Sequence, residues 1–384
     1  MLLFENHQYN ESKNMKINLY TCLLLMSTFL THPRSIYRPA DPLMPEIRVK
    51  WAGDSKLYLL RKYHLEEYAL FQLFDNDFFI AHMLPEGRIS YRSDPNQSVD
   101  RKNLTDLIDE LVREIKQGKH TFTNFSILQS KDYNFKKGNG LLIVKFNDYP
   151  FVVKMFVETP DSFVSPFDKG LEPIFFFFMA GGVNRHLTGF TRIKNREIIT
   201  QRLAQSPWAA SIDIPRKWHW VPPSSRWIEI TGKNVGTVKE RTIRLPGTYC
   251  IVADAIEAER NLSLLSSEDK KRAMDLCNYL NIWIDPHMKN FMIEKGSGKF
   301  IIVDTEHFPT VVGLREKISF DSYSNWYLYL AGKCWRNAFM QNKHERRNPQ
   351  RPVPEMSLVD FNLYKAQKPY EPNLLTDNTQ HSLR

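Results

Sequence analysis

Apolar residues recur at helical spacing between Asp100 and Gly118. One face of this segment would be apolar and the other charged, which is the pattern of a helix that packs on a core. Gly118 follows the last apolar position and predicts where the helix ends. The residues that define the apolar face are Leu104, Leu107, Ile108, Leu111 and Ile115.

After this helix the pattern changes to short apolar runs that are typical of β-strands. Gly140–Phe146 and Phe151–Val157 are two such runs. The turn-forming residues Asn147–Pro150 between them predict a β-hairpin. Further strands are predicted at Thr121–Leu128, Trp227–Ile230 and Tyr249–Ala253.

Three more helices are predicted from periodicity and capping residues. They are Asn195–Gln205, the segment from the Ser266 cap to Leu280, and Ser322–Met340. Leu57–Phe79 has a mixed pattern that fits one or two helices, or a helix and a strand.

Two segments between the predicted strands do not have a regular period. Residues 158–187 contain Pro, Gly and the run Phe175–Phe178, and they are interpreted as an insertion whose aromatic residues need a surface to pack against. Trp218–Pro223 is interpreted as an aromatic connector.

The residues with recognisable chemistry lie in the C-terminal third. Asp285, His287 and Asn290 occur in the order D-x-H-x-x-N, and an apolar strand then runs into Asp304. The turn residues Lys295–Gly298 predict a hairpin between the two groups. Phosphoryl transfer needs a base for the acceptor hydroxyl and hard oxygen ligands for Mg²⁺, and these side chains supply both.

This arrangement resembles the catalytic and metal-binding loops of the protein-kinase-like superfamily. The D-x-H-x-x-N order is closer to phosphoinositide kinases and HipA-type kinases than to typical Ser/Thr kinases. The resemblance implies that Asp285 is the catalytic base and that His287 supports the transferred phosphate. It also implies that Asn290 and Asp304 hold Mg²⁺ and that ATP is the phosphate donor. The specific match covers about 30 residues, and the order of strands extends it to roughly 120–310.

The fold implied by this resemblance is α+β: a two-lobed protein-kinase-like fold with an antiparallel N-lobe sheet and a short, mostly helical C-lobe. The corresponding division of the chain is 1–31 as a signal peptide or N-terminal apolar segment, 32–120 as a partly helical extension, 121–257 as the N-lobe with the insertion 158–187, 258–345 as the C-lobe and 346–384 as a polar tail.

Lys154 is the cation that the resemblance requires in the N-lobe. It lies within an apolar strand, where a lysine is costly to bury unless it meets phosphate or carboxylate. It is similar to the β3 lysine of kinases and would be both catalytic and ATP-binding, with Lys145 of the preceding strand as an alternative. A partner glutamate is expected on the following helix, with Glu197 as the first candidate and Glu158 as the second.

Further nucleotide contacts are implied on either side of that strand pair. Lys137 and Gly138 lie in a basic, glycine-containing stretch where the phosphate-covering loop would be, although no G-x-G-x-x-G pattern is present. Ala255 follows the last N-lobe strand, where the adenine would pack.

The chain departs from the family pattern near the catalytic residues. Thr305 and Glu306 follow Asp304 where the family has Phe-Gly, and Trp283 replaces a histidine. No A-P-E-like segment follows. These differences put a peptide-substrate platform and an activation-loop switch in doubt, but they leave the minimal catalytic set.

Composition limits the class of protein but does not identify what it binds. A chain of 384 residues with 42% hydrophobic residues is globular and long enough for more than one lobe. The formal charge of +9 suits phosphate-bearing ligands, anionic membranes or nucleic acid, and no motif indicates specific nucleic-acid binding. The phosphate acceptor stays open as protein, lipid or small molecule, and the Phe-rich insertion is a candidate contact with a membrane or a protein.

The N-terminal pattern bears on localisation. A basic start and an apolar run follow Met15 and resemble a secretory signal peptide. The protein is expected to be exported if translation starts at Met15, and otherwise to be cytoplasmic or membrane-associated. The four cysteines include no C-x-x-C pair, which disfavours a zinc ribbon.

Two other functions fit the same residues. One is a catalytically inactive kinase-like interaction module. The other is a metallohydrolase in which Asp285, His287, Asp304 and His307 hold Zn²⁺, Mn²⁺ or Fe.

Overall fold

The structure is a computed structural model that describes residues 47–60, 74–164, 181–232, 240–280, 284–306, 322–325 and 328. The described part is mixed α and β, with mainly antiparallel sheets and few helices, which agrees with the predicted class at that level. The chain divides into two compact units, residues 1–44 and 45–384, and the described residues all belong to the second.

The elements of the described ranges are numbered in chain order. The strands are β1 Ile47–Trp51, β2 Tyr58–Leu60, β3 Arg88–Ser90, β4 Ser98–Asp100, β5 Phe125–Gln129, β6 Tyr133–Asn134, β7 Asn139–Phe146, β8 Phe151–Val157, β9 Ile212–Asp213, β10 Lys217–Trp220, β11 Trp227–Gly232, β12 Arg241–Pro246, β13 Thr248–Asp254, β14 Ala258–Asn261, β15 Phe291–Glu294 and β16 Phe300–Ile302. The helices are α1 Asn76–Ala81, α2 Arg101–Lys116, α3 Pro160–Val164, α4 Gly181–Ala204 and α5 Ser267–Tyr279, with a 3₁₀ turn at Met288–Asn290.

A central antiparallel sheet has the order β10-β13-β8-β7-β5, and the short strand β6 also pairs with β7. The predicted hairpin is confirmed as β7 and β8, with Leu142 opposite Met155. Because side chains alternate along a strand, Val153 and Met155 point to one face of the sheet and Lys154 to the other. The strands predicted around Trp227 and Tyr249 are also present, as β11 and β13.

Helix α2 covers one face of this sheet. It begins after Asp100, whose side chain accepts a hydrogen bond from the Lys102 backbone N–H at 2.8 Å. Leu104, Ile108 and Leu111 are fully buried in one cluster with the β7, β8 and β13 residues of that face. The amphipathic prediction is therefore confirmed.

Helix α4 lies on the opposite face. Its Ile198, Ile199 and Leu203 share a cluster with Phe156 and Ile251 of the sheet. The helix begins at Gly181, so it is longer than the predicted Asn195–Gln205 and includes the end of the predicted insertion. The same face of the sheet carries Lys154, which places this lysine between the sheet and α4.

A second sheet, ordered β12-β11-β1-β2, joins residues from both sides of the predicted boundary at residue 120. Val49 of β1 pairs with Ile230 of β11, and Tyr58 of β2 pairs with Val49. The Leu57–Phe79 segment contains a strand at its start and α1 at its end, and residues 61–73 lie outside the described ranges. The predicted extension and the predicted N-lobe thus share their sheets and cores.

The segment predicted as an aromatic connector, Trp218–Pro223, is instead strand β10 up to Trp220. This prediction was wrong because four residues are too few to establish a period of two. Pairing with β13 supplies the missing information: Trp218 lies opposite Val252 and Trp220 opposite Cys250.

A third sheet, ordered β14-β15-β16-β9, carries the hairpin predicted around residues 295–298. The predicted helix before it is confirmed as α5, and the Ser266 side chain caps it by accepting from the Asp269 backbone N–H at 3.1 Å. Helix α5 precedes the D-x-H-x-x-N segment in the chain.

Several predictions fall outside the described residues. They are the N-terminal segment 1–31, the run Phe175–Phe178, most of the helix Ser322–Met340 and the tail 346–384. Within the described residues, none of the helices combines the length and apolar character needed to cross a membrane.

Candidate active site

The D-x-H-x-x-N segment folds into a turn that its own polar groups close. Asp285 Oδ1 accepts from the His287 backbone N–H at 3.0 Å, and Asn290 Nδ2 donates to the Asp285 carbonyl at 2.9 Å. His287 in turn caps the 3₁₀ turn, because its Nδ1 accepts from the Lys289 backbone N–H at 3.2 Å. The three predicted residues are therefore held together by local hydrogen bonds.

The hairpin brings Asp304 beside this turn. Phe291 lies opposite Ile302 in the ladder, and the Val303 backbone N–H donates to the Asn290 carbonyl at 2.9 Å. Asp304 is the next residue after this hydrogen bond. The antiparallel register of this hairpin therefore explains why Asn290 and Asp304 lie in one site.

Lys154 reaches the same point from the central sheet. Its Nζ donates to Asp304 Oδ2 at 3.0 Å across 150 residues of sequence. The side chains are 12% and 20% exposed, so water screens this pair only in part. The lysine lies on the inward face, as the apolar neighbours predicted, and its partner in the structure is a carboxylate.

Arg192 of α4 is the main residue of the site that the sequence did not indicate. Its Nε donates to Asp304 Oδ1 at 3.0 Å, and its Nη2 lies 3.0 Å from Glu306 Oε2. The side chain is 5% exposed and its guanidinium lies over the ring of Phe156. Nη1 is buried with no hydrogen-bond partner among the described residues. No spacing pattern marks this arginine, since it precedes the predicted start of its helix.

A third cation, Lys217 of β10, is fully buried beside Thr305. Its Nζ donates to Thr305 Oγ1 at 2.7 Å, and Thr305 Oγ1 donates to the Arg192 carbonyl at 2.6 Å. Asn195 Nδ2 donates to the Thr305 carbonyl at 2.9 Å. Burial and the neighbouring Lys154 lower the pKa of Lys217 well below its ordinary value.

The pKa values of the two aspartates of the site are shifted in opposite directions. Burial raises the pKa of Asp285 to about 7, and nearby Glu306 and Asp304 add to this, against the hydrogen bond from the His287 N–H. Burial would also raise the pKa of Asp304, but Arg192, Lys154 and Lys217 outweigh it and hold that pKa far below its usual range. Asp304 is therefore always charged near neutral pH, whereas Asp285 is close to half-protonated.

The glutamate predicted to pair with Lys154 lies elsewhere. Glu197 Oε1 is 2.7 Å from His82 Nε2, so this side chain links α4 to the turn after α1. The alternative, Glu158, is buried and accepts from Ser162 Oγ. The alternative lysine, Lys145, is exposed. The partner that the structure gives to Lys154 is Asp304.

Lys137 and Gly138 form the turn between β6 and β7. Their backbone N–H groups both donate to the Asn134 carbonyl, at 3.2 and 2.7 Å, and Gly138 has a φ of +66°, which favours glycine. Burial lowers the pKa of His287, and the charges of Lys131 and Lys289 lower it further. Lys131 belongs to the connection before β6, so this connection acts electrostatically on the site.

Ala255 directly follows β13, as predicted. Its backbone N–H donates to the Pro150 carbonyl at 2.9 Å, which joins this segment to the β7–β8 turn. A nucleotide base at this position would therefore have to use other backbone groups of the segment.

The residues present fit the nucleotide and Mg²⁺ that the resemblance implies. The Asn290 amide nitrogen donates to the Asp285 carbonyl, which leaves its Oδ1 as a hard oxygen donor, and the Asp304 carboxylate supplies others. The unpartnered Nη1 of Arg192 is a buried donor suited to an anion. The alternative hydrolase cluster includes His307, which lies outside the described residues. Inside them, no three or more His, Cys, Asp and Glu side chains are grouped to hold a metal ion.

Comparisons with protein-family models, curated proteins and solved structures found no match.

Proposed function

We propose that this protein is an ATP- and Mg²⁺-dependent phosphotransferase with a two-lobed, kinase-like fold. In this proposal the central sheet with α4 forms the N-lobe, and α5 with the β15–β16 hairpin begins the C-lobe. The observation that carries the proposal is the 3.0 Å contact of Lys154 with Asp304, beside the Asp285–Asn290 turn. A strand lysine, a loop aspartate and asparagine, and a strand-end aspartate are the minimal groups for this chemistry.

The charge balance supports a polyphosphate ligand. Lys154 and Arg192 pair with two carboxylates, those of Asp304 and Glu306, and Lys217 is buried nearby with a pKa well below its ordinary value. Mg²⁺ alone would have to displace Lys154 and Arg192 from the two carboxylate oxygens of Asp304. A nucleotide polyphosphate that arrives with Mg²⁺ brings negative charge, so the site should take the complex far better than the free ion.

Five residues have a definite part in the proposed reaction. Lys154 and Arg192 hold phosphate oxygens, and Asn290 and Asp304 hold Mg²⁺. When bound, Mg²⁺ neutralises charge on the phosphates during transfer. Asp285 uses Oδ2 to accept the proton of the acceptor hydroxyl while its Oδ1 stays on the His287 N–H. The γ-phosphorus then bonds to the acceptor oxygen, and its bond to ADP breaks.

The pKa of Asp285 suits this role. A base works best when its pKa lies near the working pH, and that of Asp285 is about 7. The rate should therefore rise with pH through about 7 as this carboxyl loses its proton.

A catalytically inactive interaction module is the second candidate. The observation in its favour is that both carboxylate oxygens of Asp304 already have cationic partners, Lys154 on one and Arg192 on the other. In that case the ion pairs would serve to join the sheet, α4 and the hairpin.

The test is a thermal-unfolding titration of the full-length chain with ATP, with and without Mg²⁺. Wild type should be stabilised by about 2.7 kcal/mol at a ligand concentration of 100 Kd. Lys154→Ala and Asp304→Ala should lose the shift. Lys145→Ala is the matched control, because this exposed lysine lies on the strand next to Lys154 and should leave the shift intact.

ADP formation with water as acceptor separates the two candidates. Slow ADP release by wild type that Asp285→Asn abolishes supports the phosphotransferase. Mg²⁺-dependent binding without ADP release supports the inactive module. A wild-type chain that neither ATP nor GTP stabilises would overturn the nucleotide-binding proposal.

A further inference from the structure

Thr305 lies in the middle of the site, yet the phosphotransferase scheme assigns it no role. The side chain is fully buried between helix α4, strand β10 and the end of the hairpin. Its hydroxyl donates to the Arg192 carbonyl at 2.6 Å and accepts from Lys217 Nζ at 2.7 Å. Its carbonyl accepts from Asn195 Nδ2 at 2.9 Å. Three hydrogen bonds from two other elements therefore meet at this one residue.

The hydroxyl is required by the chemistry of its partners. It donates to the Arg192 carbonyl and accepts from Lys217 Nζ, and a hydroxyl can do both at once. Valine has nearly the same shape and can do neither. Within the described residues, Thr305 Oγ1 is the hydrogen-bond partner of Lys217 Nζ, so the contact also satisfies a buried polar group.

These contacts lock the backbone on which Asp304 is carried. Arg192 binds the carboxylates on both sides of Thr305, those of Asp304 and Glu306. The Glu306 backbone N–H also donates to Asp304 Oδ1 at 3.1 Å. The segment 304–306 is thus fixed to α4 at each of its residues, and Asp304 has little freedom to turn its carboxylate.

We propose that Thr305 is a positioning residue: its hydrogen bonds to Arg192, Asn195 and Lys217 hold the Asp304 carboxylate in the orientation that binds the Mg²⁺ of the nucleotide complex. This inference rests on the proposed function. A residue that orients a metal ligand acts on metal affinity rather than on the phosphate contacts. Thr305 is therefore expected to govern the Mg²⁺ dependence of nucleotide binding and not nucleotide binding itself.

The experiment is a fluorescence titration of the full-length chain with an N-methylanthraniloyl derivative of ATP, over a range of Mg²⁺ concentrations and in EDTA. Thr305→Val should raise the Mg²⁺ concentration needed for half-maximal enhancement by about tenfold or more. Affinity in EDTA should change by less than about twofold, because Lys154 and Arg192 keep their side chains. Thr305→Ser keeps the hydroxyl and should restore the Mg²⁺ response to within about threefold of wild type.

Two further variants separate positioning from loss of stability. Thr231→Val is the control for loss of a threonine hydroxyl outside the site, since the half-buried Thr231 Oγ1 is 2.9 Å from Thr242 Oγ1 in the second sheet. It should leave the Mg²⁺ response unchanged. If Thr305→Val does not fold, Thr305→Ala takes its place, because the space it leaves admits a water to the Lys217 ammonium group.

The outcomes are distinct. An unchanged Mg²⁺ dependence in a folded Thr305→Val chain overturns the positioning role while the proposed function stands. Equal losses of affinity in Mg²⁺ and in EDTA also overturn it, because they indicate a general structural role. A wild-type chain that does not bind the nucleotide overturns the proposed function, and the inference with it.

Discussion

Asp285 and Asp304 are two half-buried carboxylates of one site, and their surroundings shift their pKa values in opposite directions. Asp285 accepts hydrogen bonds from uncharged donors of its own turn, the His287 backbone N–H and the Asn290 side-chain amide. Asp304 receives charged donors from Lys154 and Arg192, which lie 150 and 112 residues away. Burial raises the pKa of the first to about 7, whereas the cations keep the pKa of the second far below its usual range. Burial alone therefore does not determine the direction of a carboxyl group's pKa shift, because charged neighbours can outweigh it.

The difference is consistent with the two roles in the proposed function. A group that exchanges its proton near neutral pH is suited to act as a base, and one that never binds a proton is suited to hold a cation. The pair is thus an instance of two like side chains whose pKa values are moved apart by their environments.

The largest effect that tests this contrast is expected for Asp304→Asn. The change keeps the size of the side chain but removes the carboxylate that pairs with Lys154 and one of the two carboxylates that pair with Arg192. The free energy of unfolding should fall by about 3–5 kcal/mol, as for other broken buried ion pairs. Urea denaturation measures this loss, with the exposed Glu257→Gln as control. A loss below about 1 kcal/mol would show that the cluster does not depend on this charge.

Asp285→Asn should raise the free energy of unfolding near neutral pH, in contrast to Asp304→Asn. The folded state holds the Asp285 proton more tightly than the unfolded chain, whose carboxyl has a pKa near 3.8. This preference stabilises the protein at low pH and is lost as pH rises from about 4 to about 7. At pH 8 the variant should therefore be more stable than wild type, on the order of 2 kcal/mol, while ADP formation is abolished.

The check is a pair of urea unfolding curves for Asp285→Asn and wild type at pH 4 and at pH 8. The difference between the proteins should be small at pH 4 and large at pH 8. A variant that is less stable than wild type at pH 8 would mean that the carboxylate has a stabilising partner, which would remove the contrast with Asp304.

Glu197→Gln should have a much smaller effect. The side chain pairs with His82 and is 41% exposed, so water screens the pair. Loss of stability should stay within about 1 kcal/mol, and Mg²⁺-dependent nucleotide affinity should match wild type. A tenfold loss of that affinity would place Glu197 in the site after all, and nucleotide titration measures it directly.

The smallest expected effect is that of Mg²⁺ without nucleotide. Because Lys154 and Arg192 already occupy the Asp304 oxygens, millimolar Mg²⁺ alone should not raise the melting temperature measurably. The same Mg²⁺ concentration with ATP should raise it. Stabilisation by Mg²⁺ alone would mean that Asp304 holds the ion without phosphate, and the cations would then have another role.

Local sequence patterns predicted the elements that are long enough to show the apolar periodicity of a helix or strand, or that have clear turn residues. Helix α2 and the β7–β8 and β15–β16 hairpins have long apolar runs or clear turn residues, and each is present. The strands that were missed are short or polar. β14, Ala258–Asn261, is exposed along its length, and β1 is defined by pairing with β11 far along the chain. No local window contains the information that makes these segments strands.

The same division applies to the site. The sequence alone grouped Asp285, His287, Asn290 and Asp304, because a turn and a hairpin bring them together and both depend on local spacing. Lys154 was found because it interrupts an apolar strand, although its partner was taken to be Glu197.

Tertiary structure alone decided the rest: that Lys154 meets Asp304, that Arg192 and Lys217 join them, and that Thr305 ties these groups to α4 and β10. The physical reason is that charge balance and burial are sums over neighbours in space. Residues from β8, α4, β10 and the hairpin contribute to one field, and that field separates the pKa values of two aspartates that look alike in the sequence.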